Sequence, residues 1–196
     1  MKSFIPIGSC ILVLLGAIQL GGCVAAVGAG AAAGAAAVAA YDRRTAGTLV
    51  DDQLIEVKLL SSLLDDPALN AQAHINATSY NNIVLLSGEV PDQTLKARAE
   101  SIARQLPKVR SVHNELTLAG PSSLLSRSSD SVVTGKVKSS LISDKVAEAG
   151  RIKVITENGT VFLLGLVTRG EGGRATEIAR RVGGVQRVVK LFEYLD

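Results

Sequence analysis

Few side chains in this 196-residue chain are placed to do chemistry. Cys23 is the clearest case, because it follows Leu20-Gly21-Gly22. Small residues before a thiol would let extended backbone enter an enzyme's cleft. The other candidates are weaker. Ser61-Ser62 and Ser139-Ser140 lack a nucleophile elbow and a lysine partner motif. His74 and His113 fall in β-rich runs of the first half, where the second half has Arg151 and Val189, and are read as partly exposed strand residues. Asp51-Asp52 and Asp65-Asp66 adjoin the ends of a predicted helix, and the first pair is accounted for by the positive helix N-terminus. No catalytic residue and no metal site are expected, so the chain is not read as an enzyme.

The segment that must present Cys23 is an export signal. Lys2 gives a short positive start, and Ile11-Leu12-Val13-Leu14-Leu15 lies in an apolar run continuing to Leu20, too short for a comfortable span. With Leu20-Gly21-Gly22-Cys23, this resembles a bacterial lipoprotein signal. The resemblance implies that residues 1–22 are removed, that the Cys23 sulfur takes a diacylglycerol, and that its new amino group is acylated with a chain such as palmitate. Covalent acyl chains are then the only cofactor-like groups expected. Each buried CH₂ contributes about 0.8 kcal/mol, so three chains anchor the protein permanently. Val24, where an Asp would retain a lipoprotein in the inner membrane, implies the outer membrane and a periplasm-facing body. Cys10 leaves with the signal, so the mature chain keeps no free thiol. Residues 24–40 are almost wholly Ala, Gly and Val, and residues 23–45 are read as lipidated Cys plus tether, the glycines arguing against a second span.

The remainder is an internal repeat. Lys58 to Leu64 resembles Lys136 to Ile142, Val84 to Val90 resembles Val161 to Val167, and Ser101 to Arg104 resembles Glu177 to Arg180, at offsets of 76 to 78. Each copy starts with apolar residues every four positions, Ile55-Leu59-Leu63 and Val133-Val137-Leu141, which predicts one buried helix face. Two β-rich runs follow (152–156 and 161–167 in the second copy), joined by Asn81-Asn82 or Asn158-Gly159, pairs that tolerate positive φ. A second helix is predicted over 94–106 and 173–182, and a last strand over 109–118 and 185–195. The fold class is α+β, two tandem α-β-β-α-β copies with helices on a small mixed sheet. The copies occupy 46–119 and 130–196, joined by a Gly/Pro/Ser-rich linker at 120–129. Gly88 and Gly165 take equivalent strand positions and are read as structural glycines that let a helix pack closely on the sheet.

This element order, the paired strands 84–90 and 161–167, and the run Thr156-Glu157-Asn158-Gly159-Thr160-Val161-Phe162-Leu163-Leu164-Gly165-Leu166-Val167-Thr168 resemble the BON-domain family over about 47–195. Gly88 and Gly165 match the family glycine. A lipoprotein signal followed by two such domains resembles the family's dual-domain outer-membrane lipoproteins. That resemblance implies anionic phospholipid of the phosphatidylglycerol type as partner, bound by the first helix of the second domain, here 130–143. It also implies enrichment at the division septum and a role in envelope integrity under stress. The family pattern has a tryptophan where Val132 stands.

Charge bears on the same helix. The chain carries +3 overall, but residues 46–119 hold six Lys/Arg against nine Asp/Glu, and residues 123–196 hold twelve against eight. The lipid-binding set is read as Val132, Val133, Lys136, Val137, Lys138, Ser139 and Ser140: a small apolar tip with cationic heads. On composition alone an ordinary solvated helix face with two lysines is the better fit, and the family resemblance reverses that preference. The alternative function is a periplasmic adaptor that docks an envelope or cell-wall protein machine, and a third is an inert spacer. Nucleic acid is not expected as a partner of an exported chain with 3% aromatic residues.

Overall fold

The computed structural model describes residues 42–120, 124–144 and 151–196. The signal peptide, Cys23 and the tether at 24–40 lie outside the described residues. Helix α1 (Ala46–Asp65) starts at Thr45, whose hydroxyl accepts the Thr48 amide, and buries Ile55, Leu59 and Leu63 on one face. Burying each contributes about 1.5–3 kcal/mol. Asp66 then caps α2 (Pro67–Gln72), a short helix that the sequence reading lacks; its carboxylate accepts the Ala68 and Leu69 amides, with Pro67 at the first position. Strands β1 (His74–Tyr80) and β2 (Ile83–Val90) form an antiparallel hairpin, and α3 (Gln93–Gln105) crosses over to β3 (Ser111–Asn114) and β4 (Thr117–Leu118), both parallel to β2. The single strand predicted at 109–118 is broken because Leu116 turns into the core, 1% exposed.

The second copy repeats the pattern. Helix α4 (Leu124–Ser143) precedes the β5 (Ile152–Glu157) and β6 (Thr160–Val167) hairpin, α5 (Arg169–Arg180) crosses over, and β7 (Arg187–Tyr194) pairs parallel with β6. Two boundaries differ from the reading. Helix α4 extends through 124–129, part of the expected linker, because that stretch contains neither Gly nor Pro. Helix α5 begins at Arg169, not 173, because Thr168 and Glu171 form a reciprocal capping box that outweighs the nearby glycines.

Both hairpins turn on residues with positive φ, Asn81 (52°) and Asn82 (62°), then Asn158 (47°) and Gly159 (70°). An aspartate from the preceding helix holds each turn. Asp52 accepts the Asn81 and Asn82 amides at 2.8 Å, and Asp130 accepts those of Asn158 and Gly159 at 2.9 Å. Asp52 therefore serves the turn from within α1, which corrects its assignment to a helix N-terminus. The strand glycines need a correction too. A Cβ at Gly88 would lie 2.1 Å from the His74 carbonyl oxygen, and one at Gly165 would lie 2.7 Å from that of Arg151. Both admit the neighbouring strand's backbone; neither serves helix packing.

Residues Tyr41–Asp196 form one compact unit. The helices of each copy cover one face of their own sheet, giving a core around Leu59, Val84 and Ala99 and another around Val137, Leu163 and Ala179. The opposite faces of the two sheets meet in a third cluster, with Tyr80 and Leu85 against Phe162 and Leu164. Strand alternation delivers this: Val84 and Leu86 face the first core and Leu85 the seam, as Val161 and Leu163 face the second and Phe162 the seam. Ion pairs flank the seam, Arg110–Glu193 at 2.9 Å and Arg187–Glu115 at 3.7 Å. Tyr80 meets Arg151 at one end and Glu157 meets His74 at the other; Tyr80 and Glu157 are repeat equivalents, as are Arg151 and His74, so the two sheets face each other about a pseudo-two-fold.

Candidate lipid-facing helix and the seam between the copies

Helix α4 sorts the predicted lipid-binding residues by its turn. Val133 and Val137, 5% and 0% exposed, lie in the second core with Leu141. They hold the helix and do not reach a surface, which removes them from the contact set. Val132 points outward, 56% exposed, as does Ile142, 57% exposed. Lys136 and Ser139 are exposed between them, and Ser140 is half-buried. Lys138 is exposed one turn before Ile142, at the opposite edge of the outward face from Lys136, and also lines a groove of about 470 Å³ at the seam, together with Ser131, Thr134, Thr156 and Glu157. The outward face is therefore Val132, Lys136, Lys138, Ser139 and Ile142, and Ile142 is a member that sequence reasoning missed. Its signal was available, ten residues from Val132 and off the Val133-Val137-Leu141 stripe. Among the described residues, neither Lys136 nor Lys138 makes an ion pair or hydrogen bond.

The matching helix of the first copy carries a different face. Val50, Leu54, Val57, Leu60 and Leu64 are all 44–67% exposed and recur along one side of α1. Lys58, the repeat equivalent of Lys136, is exposed at their edge one turn from Leu54, while Val50, Val57 and Leu60 stand where α4 has Ser128, Gly135 and Lys138.

The last residues of the expected 23–45 tether, Arg43 and Arg44, are not tether but are bound into the seam. The Arg43 guanidinium donates twice to Glu171, at 2.8 and 2.9 Å, and once to the Leu166 carbonyl at 3.0 Å. Arg44 pairs with Asp42 and with buried Asp52, and stacks 3.9 Å above the Tyr80 ring. One arginine grips the second copy and the next grips the first. The Arg43 hydrogen bonds, together with the Thr168 amide, hold the Glu171 carboxyl down at about 2. Tyr80 donates its hydroxyl to the Arg151 carbonyl at 3.2 Å, and burial pushes its phenol above the usual range.

At the far end of the seam the two histidines part company. His113 stands half-buried in β3, while His74 Nδ1 lies 3.3 Å from Glu89 Oε2 and 3.8 Å from Glu157 Oε1. Glu89 is 1% exposed. Burial first, then the Glu89 and Asp130 charges, push the Glu157 carboxyl up to about 7. Three strands from two copies assemble this cluster, so no local spacing announced it. Among the described residues, no helix is long and apolar enough to cross a membrane.

The BON-domain profile matches residues 51–120 and 129–196. Outer membrane lipoprotein DolP of Haemophilus influenzae is 44% identical over 94% of this chain and 95% of its own length. The 21 kDa hemolysin of Actinobacillus pleuropneumoniae is 36% identical over 79% of this chain and 80% of its own. Osmotically-inducible protein Y of Escherichia coli is 30% identical, with 72% of each chain covered. The chain belongs to the BON-domain family, as a two-copy lipoprotein of the outer-membrane type.

Proposed function

We propose that this lipoprotein is non-catalytic and reads anionic phospholipid with helix α4 of its second domain, supporting envelope integrity at the division septum. The observation that carries the reading is the outward face of α4: two cations, Lys136 and Lys138, each one turn from an exposed apolar side chain, Val132 and Ile142, on the copy with excess positive charge. Each cation near an anionic surface contributes about 1 kcal/mol, and small apolar tips add area buried among headgroups. The Cys23 acyl chains keep the domain at high local concentration near the membrane, so weak contacts suffice. Val132 offers less area than a tryptophan and no indole N–H, which leaves most of the affinity to charge. The test is co-sedimentation of residues 41–196, one compact unit, with phosphatidylglycerol-containing and neutral vesicles across a salt series. Binding only to the anionic vesicles, weakening with salt, supports the reading; equal binding to both, or none, contradicts it.

A second reading rests on α1. Its five-residue apolar stripe, on the acidic copy, suits a protein partner better than an anionic membrane. In that reading the chain is an adaptor for an envelope assembly, and a Val57→Glu substitution abolishes the docking while leaving vesicle binding unchanged.

A further inference from the structure

The pseudo-two-fold gives the seam two equivalent ends, and their contents differ. By the repeat, His74, Glu89 and Glu157 correspond to Arg151, Leu166 and Tyr80. At the Tyr80 end the seam closes with a phenol, a leucine and backbone hydrogen bonds. At the His74 end it buries two carboxylates beside an imidazole. The buried acids at the Tyr80 end, Asp42 and Asp52, are both paired with Arg44, whereas Glu89 and Glu157 stand close to each other beside a histidine, and their mutual repulsion works against the interface.

Side chains orient both carboxylates. Asn158 Nδ2 donates to Glu89 Oε1, and Asn76 Nδ2 donates to Glu157 at 3.1 and 3.3 Å. These bonds leave Glu89 Oε2 towards His74 Nδ1, and one ligand atom from each of the three residues lies within 4.8 Å of the others. A tetrahedral ion bound at about 2.0–2.2 Å by nitrogen and oxygen needs its ligands roughly 3.4 Å apart, within reach of small side-chain rotations. A second observation points to the same place. Ser87 Oγ is a buried side-chain oxygen with no hydrogen-bond partner. It shares the seam face of β2 with Glu89, two residues away, and stands opposite Asn76 across the hairpin. A buried hydroxyl left in this way marks a polar guest. The groove of about 470 Å³ opens on His74 and Glu157, and its wall adds the Asp130 anion as well as the Arg127 and Lys138 cations.

We propose that His74, Glu89 and Glu157 form a divalent transition-metal site of the zinc type that staples the two BON domains, its remaining coordination position open to the groove. The imidazole nitrogen selects a borderline ion over magnesium or calcium, which favour all-oxygen sets. The site is independent of the lipid reading, because none of its three ligands lies on α4.

The experiment uses the full acylated chain in detergent micelles, stripped with chelator and titrated with Zn²⁺ by calorimetry. The expected result is one equivalent bound per chain and a rise in Tm on loading. His74→Ala and Glu157→Gln should each weaken binding at least tenfold, about 1.4 kcal/mol per tenfold, while His113→Ala and a tenfold excess of Mg²⁺ leave it unchanged. Co²⁺ loaded into the unaltered chain provides a measurement that needs no variant: intense visible absorption reports a low-coordinate protein site, and the weak spectrum of the hydrated ion does not. Absence of stoichiometric binding, a hydrated-ion spectrum, or binding that survives His74→Ala overturns the proposal.

Discussion

Helices α1 and α4 are the same element of the repeat and bury the same stripe, Ile55-Leu59-Leu63 and Val133-Val137-Leu141. Their outward faces share part of their pattern and differ in the rest. Leu54, Lys58 and Leu64 of α1 match Val132, Lys136 and Ile142 of α4, but α1 adds exposed Val50, Val57 and Leu60 where α4 has Ser128, Gly135 and Lys138. Inward faces are held alike because both must cover a three-strand sheet with the same spacing. The outward faces carry no such duty, so what differs there reports what each copy touches. The proposed function rests on that difference, with charge-dependent membrane contact for the second copy, and the second reading would place apolar docking on the first.

The largest expected effect separates the copies by their turn-holding aspartates. Asp52 is 1% exposed and also pairs with Arg44 and accepts the Ser79 hydroxyl at 2.6 Å. Asp52→Ala leaves the Ser79 hydroxyl and the Asn81 and Asn82 amides without their acceptor and removes one of Arg44's two carboxylates, and should cost about 3–5 kcal/mol in chemical denaturation. Asp130 is half-buried, and Asp130→Ala should cost only about 1 kcal/mol. Equal losses would break the claim that the first turn is the more deeply built.

The strand glycines give the next contrast. Gly88 has φ of 114° and a carbonyl where a Cβ would stand, whereas Gly165 meets a milder approach and has no positive φ. Gly88→Ala should lower stability by about 3 kcal/mol and Gly165→Ala by about half that, read as thermal shifts.

The Arg43–Glu171 clasp should come third, at about 1–2 kcal/mol for Glu171→Gln. Its pH dependence follows from the depressed carboxyl. The folded protein keeps Glu171 ionised down to about 2, while the unfolded chain protonates it near its ordinary value of 4.5. The clasp's contribution is therefore complete above 4.5 and is lost as pH falls from there towards 2. Denaturation midpoints of the Gln variant and the parent should converge over that window; a constant gap would contradict the pairing. The smallest effect sharpens the comparison of faces: Val57→Ser on the exposed α1 stripe should change stability by no more than about 0.5 kcal/mol. A larger loss would mean that the stripe is covered within the molecule.

Periodicity and turn chemistry made most of the fold legible. The repeat offsets, the four-residue stripes and the Asn81-Asn82 and Asn158-Gly159 turns placed the elements, because each is a local pattern. The α1 stripe was also visible, as Val50, Leu54, Val57 and Leu64 at helical spacing beside the buried set. So was the shared role of Asp52 and Asp130, which stand one repeat apart. The seam was not legible. Asn158 meets Glu89, Arg43 meets Glu171, and His74 meets Glu157 only when two sheets face each other, and nothing in a single chain's spacing fixes that geometry. The boundary at α4 was misplaced because serines suggest a linker, while the helix needs only the absence of Gly and Pro over 124–129.

The most direct test of the central claim sets the two faces against each other on the same vesicles. Residues 41–196 carrying Lys136→Glu with Lys138→Glu are compared with Val57→Glu on phosphatidylglycerol-containing vesicles at low salt. Reversing two cations near the surface should lower affinity at least tenfold, given about 1 kcal/mol per charge, with Val57→Glu within twofold of the parent. Binding that survives the lysine reversals and falls with Val57→Glu would place the membrane contact on the first copy and contradict the account.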